Sequence, residues 1–221
     1  MSYLLRLVVP DRPGSLGAVA TALGTTGADI VSLDVLERGD GFAVDDVVVD
    51  LPAERLPDSL ITAAQTVPGV RVESLRPFSG ALDTHRELDL LDALARAAEG
   101  TAAKLLAAEL PRAFSGGWAV VLDCVPGGWQ VVAASEAAPS LQGVDLPWMP
   151  LAAPRLLPSE DGWLPGRWRD MAVEMMAAPY GGEGCAVLLG RSGGPAFRRS
   201  ELMRLAHLAG IASTVANLPP A

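Results

Sequence analysis

Val8–Val35 reads VVPDRPGSLGAVATALGTTGADIVSLDV. An apolar strand runs into Asp11-Arg12-Pro13-Gly14-Ser15, a helix of small residues follows, and a second strand begins at Asp29-Ile30. Over Ser15–Thr26, Leu16, Val19, Ala20 and Leu23 fall on one helical stripe. Gly27 closes the helix, as a glycine just past the last turn commonly does. Upstream, Tyr3–Val9 is a strand that is apolar except for Arg6. Downstream, Asp29–Arg38 is joined by the hairpin turn Gly39-Asp40-Gly41 to a return strand, Phe42–Leu51. On the return strand Phe42, Val44, Asp46, Val48 and Asp50 share one face, and Ala43, Asp45, Val47, Val49 and Leu51 the other. Asp45 and Asp46 therefore point to opposite faces and are no catalytic dyad. Pro57 suits the first turn of a second helix, Pro57–Thr66, with Leu60, Ile61 and Ala64 inward. Pro68-Gly69 breaks the chain and Val70–Arg76 is the last strand. The order βαββαβ predicts a ferredoxin-like α+β unit, an antiparallel sheet with two helices on one face. The open face and edge of so small a unit must be managed. Self-pairing into an isologous homodimer is a common solution.

The loop Asp11–Ser15 has two readings. As a site, it would present the first backbone N–H groups of the helix, which carry partial positive charge and can hold a carboxylate. Gly14 lets a ligand approach the backbone, Pro13 sets the entry direction, and Ser15 can cap the helix or bond the guest. An ammonium group would need Asp11 or Asp29 as acceptor. As a plain turn, Asp11 or Ser15 caps the helix and nothing is held.

The strand, the Asp11–Leu16 loop, the helix leading into Gly27-Ala28-Asp29-Ile30 and the hairpin resemble an ACT domain over residues 1–78. The resemblance implies a regulatory unit that binds an amino acid or related small metabolite between two protomers. It implies Asp11, Arg12, Pro13, Gly14, Ser15, Leu16, Asp29 and Ile30 as the ligand-binding residues. In that family the first of these positions is often an amide where an amino acid is held. Asp11 instead favours an ammonium and repels a carboxylate. A carboxylate at a helix N-terminus contributes about 0.3–1 kcal/mol when exposed and up to about 2 when partly buried. Micromolar binding needs about 8 kcal/mol, so the surface of a second protomer is required as well.

Ser79–Thr84 reads as a linker, and residues 85–221 follow a different pattern. His85–Leu110 is expected as one long helix, with Leu88, Leu91, Leu94, Ala95 and Ala98 on its apolar side. Trp118–Val125 and Trp129–Ser135 are strands joined by Pro126-Gly127-Gly128. Residues 136–168 are irregular, and Met171–Ala178 and Gly184–Arg191 are strands around Pro179–Gly182. Ala196–Asn217 is a closing helix carrying Phe197, Leu202, Leu205, Ala206, Ala209 and Ala212. This arrangement, above all AVLLGRSGGPAFRRSELMRLAHLAGIAS at Ala186–Ser213, resembles a GAF domain. The resemblance implies an antiparallel sheet flanked by helices, with a small-molecule pocket or a dimerisation surface.

A net charge of −9, with Lys104 the only lysine, excludes attraction to nucleic acid or an anionic membrane. The Ala, Val, Arg, Gly and Pro bias suggests a GC-rich bacterial source. Cys124 and Cys185 form no CxxC or Cys/His cluster, so no metal is expected. The N-terminus, MSYLLRLVVPDRPG, lacks the basic start of a signal peptide, and no uncharged apolar run reaches about 18 residues. A cytoplasmic protein is expected.

Other candidate residues are read against packing roles. His85 and His207 read as surface or packing residues. Arg191-Ser192-Gly193-Gly194-Pro195 lacks the lysine and spacing of a P-loop and reads as a turn. The two cysteines read as small buried hydrophobes. Thiol-dependent reduction of a small sulfoxide would instead need an exposed, low-pKa cysteine with a resolving partner. Trp129, Trp148, Trp163 and Trp168 read as core packing with satisfied indole N–H groups, or as a pocket wall.

The expectation is a non-enzymatic regulatory protein without a cofactor. It binds a small-molecule effector, forms a homodimer and signals to an unidentified protein partner, since neither half carries a helix-turn-helix or a catalytic domain. The alternatives are a ligand-free interaction scaffold and a GAF-type thiol-dependent reductase.

Overall fold

The structure, a computed structural model, describes residues 1–78, 86–98, 100–182 and 184–216. The expected linker 79–84, His85 and Asn217 lie outside the described residues. The chain divides into two compact units, Met1–Asp83 and Thr84–Ala221. Both are α+β.

The first unit runs β1 (Ser2–Pro10), α1 (Ser15–Gly24), β2 (Asp29–Gly39), β3 (Phe42–Asp50), α2 (Asp58–Gln65), β4 (Arg71–Pro77). The sheet order is β2-β3-β1-β4 with every ladder antiparallel, the expected βαββαβ topology. Leu5, Leu7 and Val9 of β1 and Val47 and Val49 of β3 alternate onto one face, where Val19, Leu23, Leu60 and Ala64 of the helices cover them. The hairpin between β2 and β3 is tight because Asp40 and Gly41 both take positive φ, +50° and +82°, the twist that suits a two-residue hairpin. Arg6, the lone charge of β1, lies on the other face and is fully buried. It donates from Nε and Nη2 to both carboxylate oxygens of its cross-strand partner Asp46 at 2.7 and 2.8 Å.

Two details depart from the sequence reading. Helix α1 packs through Ser15, Val19 and Leu23, leaving Leu16 and Ala20 exposed. It ends at Gly24, where the hydroxyls of Thr25 and Thr26 turn back to the Ala22 and Leu23 carbonyls. In α2 the buried set is Leu60, Ala63 and Ala64, with Ile61 half-buried.

The second unit runs α3 (Arg86–Ala95), α4 (Ala102–Ala113), β5 (Trp118–Val125), β6 (Gly128–Ala134), β7 (Arg155–Leu157), α5 (Gly166–Asp170), β8 (Val173–Pro179), β9 (Ala186–Ser192), α6 (Arg199–Ala216). The antiparallel sheet has the order β6-β5-β9-β8-β7. One hydrophobic cluster joins it to α3, α4 and α6, and a second, rich in tryptophan, joins it to the segment before β8.

Three expectations are corrected in this unit. The long helix over 85–110 is two helices, because Gly100 takes φ +77° and turns the chain between them. In α3 Leu90 and Leu94 are the buried leucines, whereas Leu88 is exposed. Residues 136–168 are not wholly irregular, since they contain β7 and the start of α5.

A glycine lets the sheet close over a tryptophan. Gly190 of β9 pairs with Trp118 of β5, and a Cβ on Gly190 would stand 2.2 Å from the indole ring.

Candidate functional site

The loop between β1 and α1 is built from short local bonds. Asp11 N–H donates to the Gly41 carbonyl at 2.9 Å, Arg12 N–H to Pro10 and Ser15 N–H to Arg12. Gly14 occupies the N-cap of α1 with φ +89°, a left-handed conformation that only glycine adopts without strain. Among the described residues no side chain caps the helix, and no acid stands in its first turn. Ser15 is buried in the first turn, and Arg12, Pro13, Gly14 and Leu16 are exposed. The capping roles offered to Asp11 and Ser15 are thus not taken up.

Asp11 is instead bound sideways. Arg38, near the end of β2, donates from Nη2 and Nε to its two carboxylate oxygens at 2.6 and 3.2 Å. Asp11 holds the Arg38 guanidinium more firmly protonated, chiefly through this hydrogen bond. The sequence reading missed Arg38, which lies 27 residues from Asp11 and meets it only through the β2–β3–β1 register.

A second missed residue stands beside this pair. Asp45 shares the helix-covered face of β3 with Ala43, and Ala43 is opposite both Val9 and Arg38. Asp45 is 1% exposed, and neither carboxylate oxygen has a hydrogen-bond partner among the described residues. Burial pushes its pKa up. The Asp11 and Asp46 charges push the same way, and Arg38 opposes them. The signal in the sequence was one acid on an otherwise apolar strand face.

Asp29 and Ile30 do not join the loop in this chain. Asp29 pairs with Asp50, and Asp50 with Ser2, at one end of the sheet. Gly39 pairs with Phe42, and Phe42 with Pro10, at the other. The eight steps of β3 between these rungs amount to roughly 26 Å. Ile30 is half-buried against the core and Asp29 is exposed.

The family model of the ACT domain matches residues 3–69. The first unit is an ACT domain. A relative of the ACT unit, NAD-dependent malic enzyme 1 of Bacillus subtilis, is 31% identical over 76 residues. That stretch is 34% of this chain and only 17% of the length of the enzyme. Among solved structures, a GAF domain from Pseudomonas syringae pv. tomato has a TM-score of 0.45 at 18% identity, covering 58% of this chain and 81% of that one. The chromophore-binding domain of a bacteriophytochrome from R. palustris also has a TM-score of 0.45, at 12% identity, covering 96% of this chain and 92% of that one.

Beyond the ACT unit, a cavity of about 510 Å³ opens against β5 and β6, lined among others by Val120, Trp129, Val131, Leu141 and Gln142. Trp129 alone of the four tryptophans singled out lines it. Trp148 and Trp168 are core residues. Trp163 donates its indole N–H to Asp161, but the buried Trp148 indole nitrogen finds no acceptor among the described residues. Cys124 and Cys185 are half-buried rather than buried. Cys124 donates to the Gly184 carbonyl at 3.3 Å and Cys185 to Asp123 at 2.9 Å. Burial, and then the Asp123 carboxylate, push the Cys185 thiol up, the reverse of what thiolate chemistry needs. Arg191 turns inward and donates to Glu201 at 2.9 Å. His207 is exposed. Among the described residues no helix is long and apolar enough to cross a membrane.

Proposed function

We propose that this protein is a non-enzymatic regulator whose ACT unit binds an amino acid or a related small metabolite at the Asp11–Leu16 loop. The observation that carries the reading is the uncapped N-terminus of α1 standing beside an Asp11 already neutralised by Arg38. Asp11 would otherwise repel a carboxylate. With Arg38 on it, the Leu16 and Gly17 end of the helix is left as a favourable place for one.

The site is completed by a second copy of the chain. Strand β2 is a sheet edge, and it exposes Leu33 and Val35, 38% and 48%, on the helix side. Antiparallel self-pairing of Asp29–Gly39 about Asp34 would set residue 29 of one copy opposite residue 39 of the other. Asp29 and Ile30 would then reach the loop across the two-fold axis, although they stand at the far end of the sheet in their own protomer. Such pairing also covers an edge that would otherwise invite aggregation.

The GAF-like unit supplies a second small-molecule pocket at Trp129 or an assembly surface. Effector binding changes how the dimer engages a cytoplasmic protein partner, which requires that the two states bind the effector with different affinity.

The test is the melting temperature of the whole chain against each proteinogenic amino acid, with non-amino metabolites as controls. A ligand at about 100 times its Kd adds about 2.7 kcal/mol, and each kcal/mol moves the midpoint of a chain this size by roughly 2–4 °C. A shift for one or a few amino acids, in a sample that sediments as a dimer, supports the sensor. No shift in a clean dimer leaves the interaction scaffold.

A further inference from the structure

Asp45 is a buried acid that the packing of the ACT unit does not need. Its cross-strand neighbours are Leu7 and Val35, both apolar. Its two oxygens are sealed from solvent and receive no hydrogen bond among the described residues. A carboxylate left in that state is costly, and an apolar or amide side chain of similar size would be cheaper.

The charges around it are otherwise matched. Asp46 is held by Arg6, and Asp11 by Arg38. Arg38 acts on Asp45 through space, yet its Nε and Nη2 donate to Asp11. Asp45 stands two residues along β3 from Ala43, the residue opposite both Val9 and Arg38, and Asp11 follows two residues after Val9. The unmatched acid therefore lies on the face and at the end of the sheet where the loop opens.

We propose that Asp45 receives the amino group of the effector. The inference rests on the effector reading above and names the residue and the ligand chemistry that complete it. The helix end takes the carboxylate, the Asp11–Arg38 pair stays neutral, and the ammonium replaces the missing donor at Asp45. Asp11 is then no ammonium acceptor. The ligand class follows: a primary amine next to a carboxylate, and not the carboxylic acid alone.

The experiment compares wild type with Asp45→Asn by melting temperature and by calorimetric titration. Each L-amino acid is paired with the 2-hydroxy acid that has the same side chain. An amino acid is expected to bind where its hydroxy acid does not. Asp45→Asn is expected to melt no lower than wild type without ligand, yet to lose about tenfold or more in affinity, because a charged hydrogen bond is removed. That combination separates a binding role from a structural one, since a packing residue would lose stability first. Equal affinity in Asp45→Asn, or equal binding of the hydroxy acid by wild type, overturns the role of Asp45 and leaves the effector reading standing. Absence of any amino-acid binding by wild type overturns both. The hydroxy-acid comparison needs only the wild-type chain, so equal binding of the hydroxy acid overturns the role of Asp45 even if the variant does not fold.

Discussion

Arg38 Nη2 and Nε hold the two oxygens of the Asp11 carboxylate at 2.6 and 3.2 Å, tying the hairpin end of β2 to the loop that starts α1. The arginine side chain is 67% exposed, so the pair adds little to folding stability. Its work is electrostatic: it removes a negative charge from the mouth of the helix. Arg38→Gln is expected to leave the melting temperature within a few degrees of wild type and to weaken any carboxylate ligand. Titration at low and high salt checks this, because the loss should shrink as salt screens Asp11.

Asp45 makes a pH-dependent prediction. Its pKa is raised in the folded chain above the ordinary value of about 3.9. The folded state thus holds the proton more tightly than the unfolded chain. Stability conferred in this way is present at low pH and lost as pH rises from the unfolded pKa through the folded one. Asp45→Asn carries no such proton. Its melting temperature should exceed that of wild type at pH 7–8, and the difference should shrink as pH falls toward 4. A constant difference across that range would show that Asp45 does not titrate differently on folding.

The β2 edge predicts the oligomeric state. Leu33 and Val35 stand exposed beside the edge. Leu33→Lys combined with Val35→Lys places like charges across any β2–β2 ladder and blunts the edge. Wild type is expected to sediment as a dimer and the double variant as a folded monomer. A double variant that remains dimeric would move the interface away from β2.

The second unit has its own lock. Arg191 and Glu201 are both buried, and Arg191 also donates to the Phe114 and Pro195 carbonyls and lies over the Phe197 ring. Glu201 Oε2 takes the Arg198 N–H just before α6. Removing one member of such a pair costs about 3–5 kcal/mol. Glu201→Ala should therefore melt well below wild type, by roughly 6–20 °C at the usual sensitivity for a chain this size. Gly190→Ala should also destabilise, because its new Cβ would overlap the Trp118 indole.

The cysteines supply a chemical check. Cys185 donates to Asp123, and its thiol is pushed up by burial and that carboxylate. Its alkylation at pH 7 is expected to be slower than that of an unfolded control and to accelerate in Asp123→Asn. Fast alkylation in the native wild type, with turnover of free methionine sulfoxide, would restore the thiol-enzyme alternative.

The sequence by itself determined the order of elements in the ACT unit and most strands of the second unit. Those signals are local: period-two alternation in Phe42–Leu51, the turn residues Asp40-Gly41, and the small-residue helix after Gly14. Where the reading slipped, the deciding interaction was not local. The stripe through Leu16 and Ala20 was as apolar as the one that packs. Only the sheet beneath α1 selects Ser15, Val19 and Leu23. An alanine-rich run carried the helix pattern across Gly100, where the backbone turns. The site was legible as a loop and no further. That Asp29 stands at the far end of the sheet, that Arg38 reaches Asp11, and that Asp45 lies buried without a donor all follow from strand register. Register is fixed only when β3 is paired on both sides, which makes it a property of the tertiary structure.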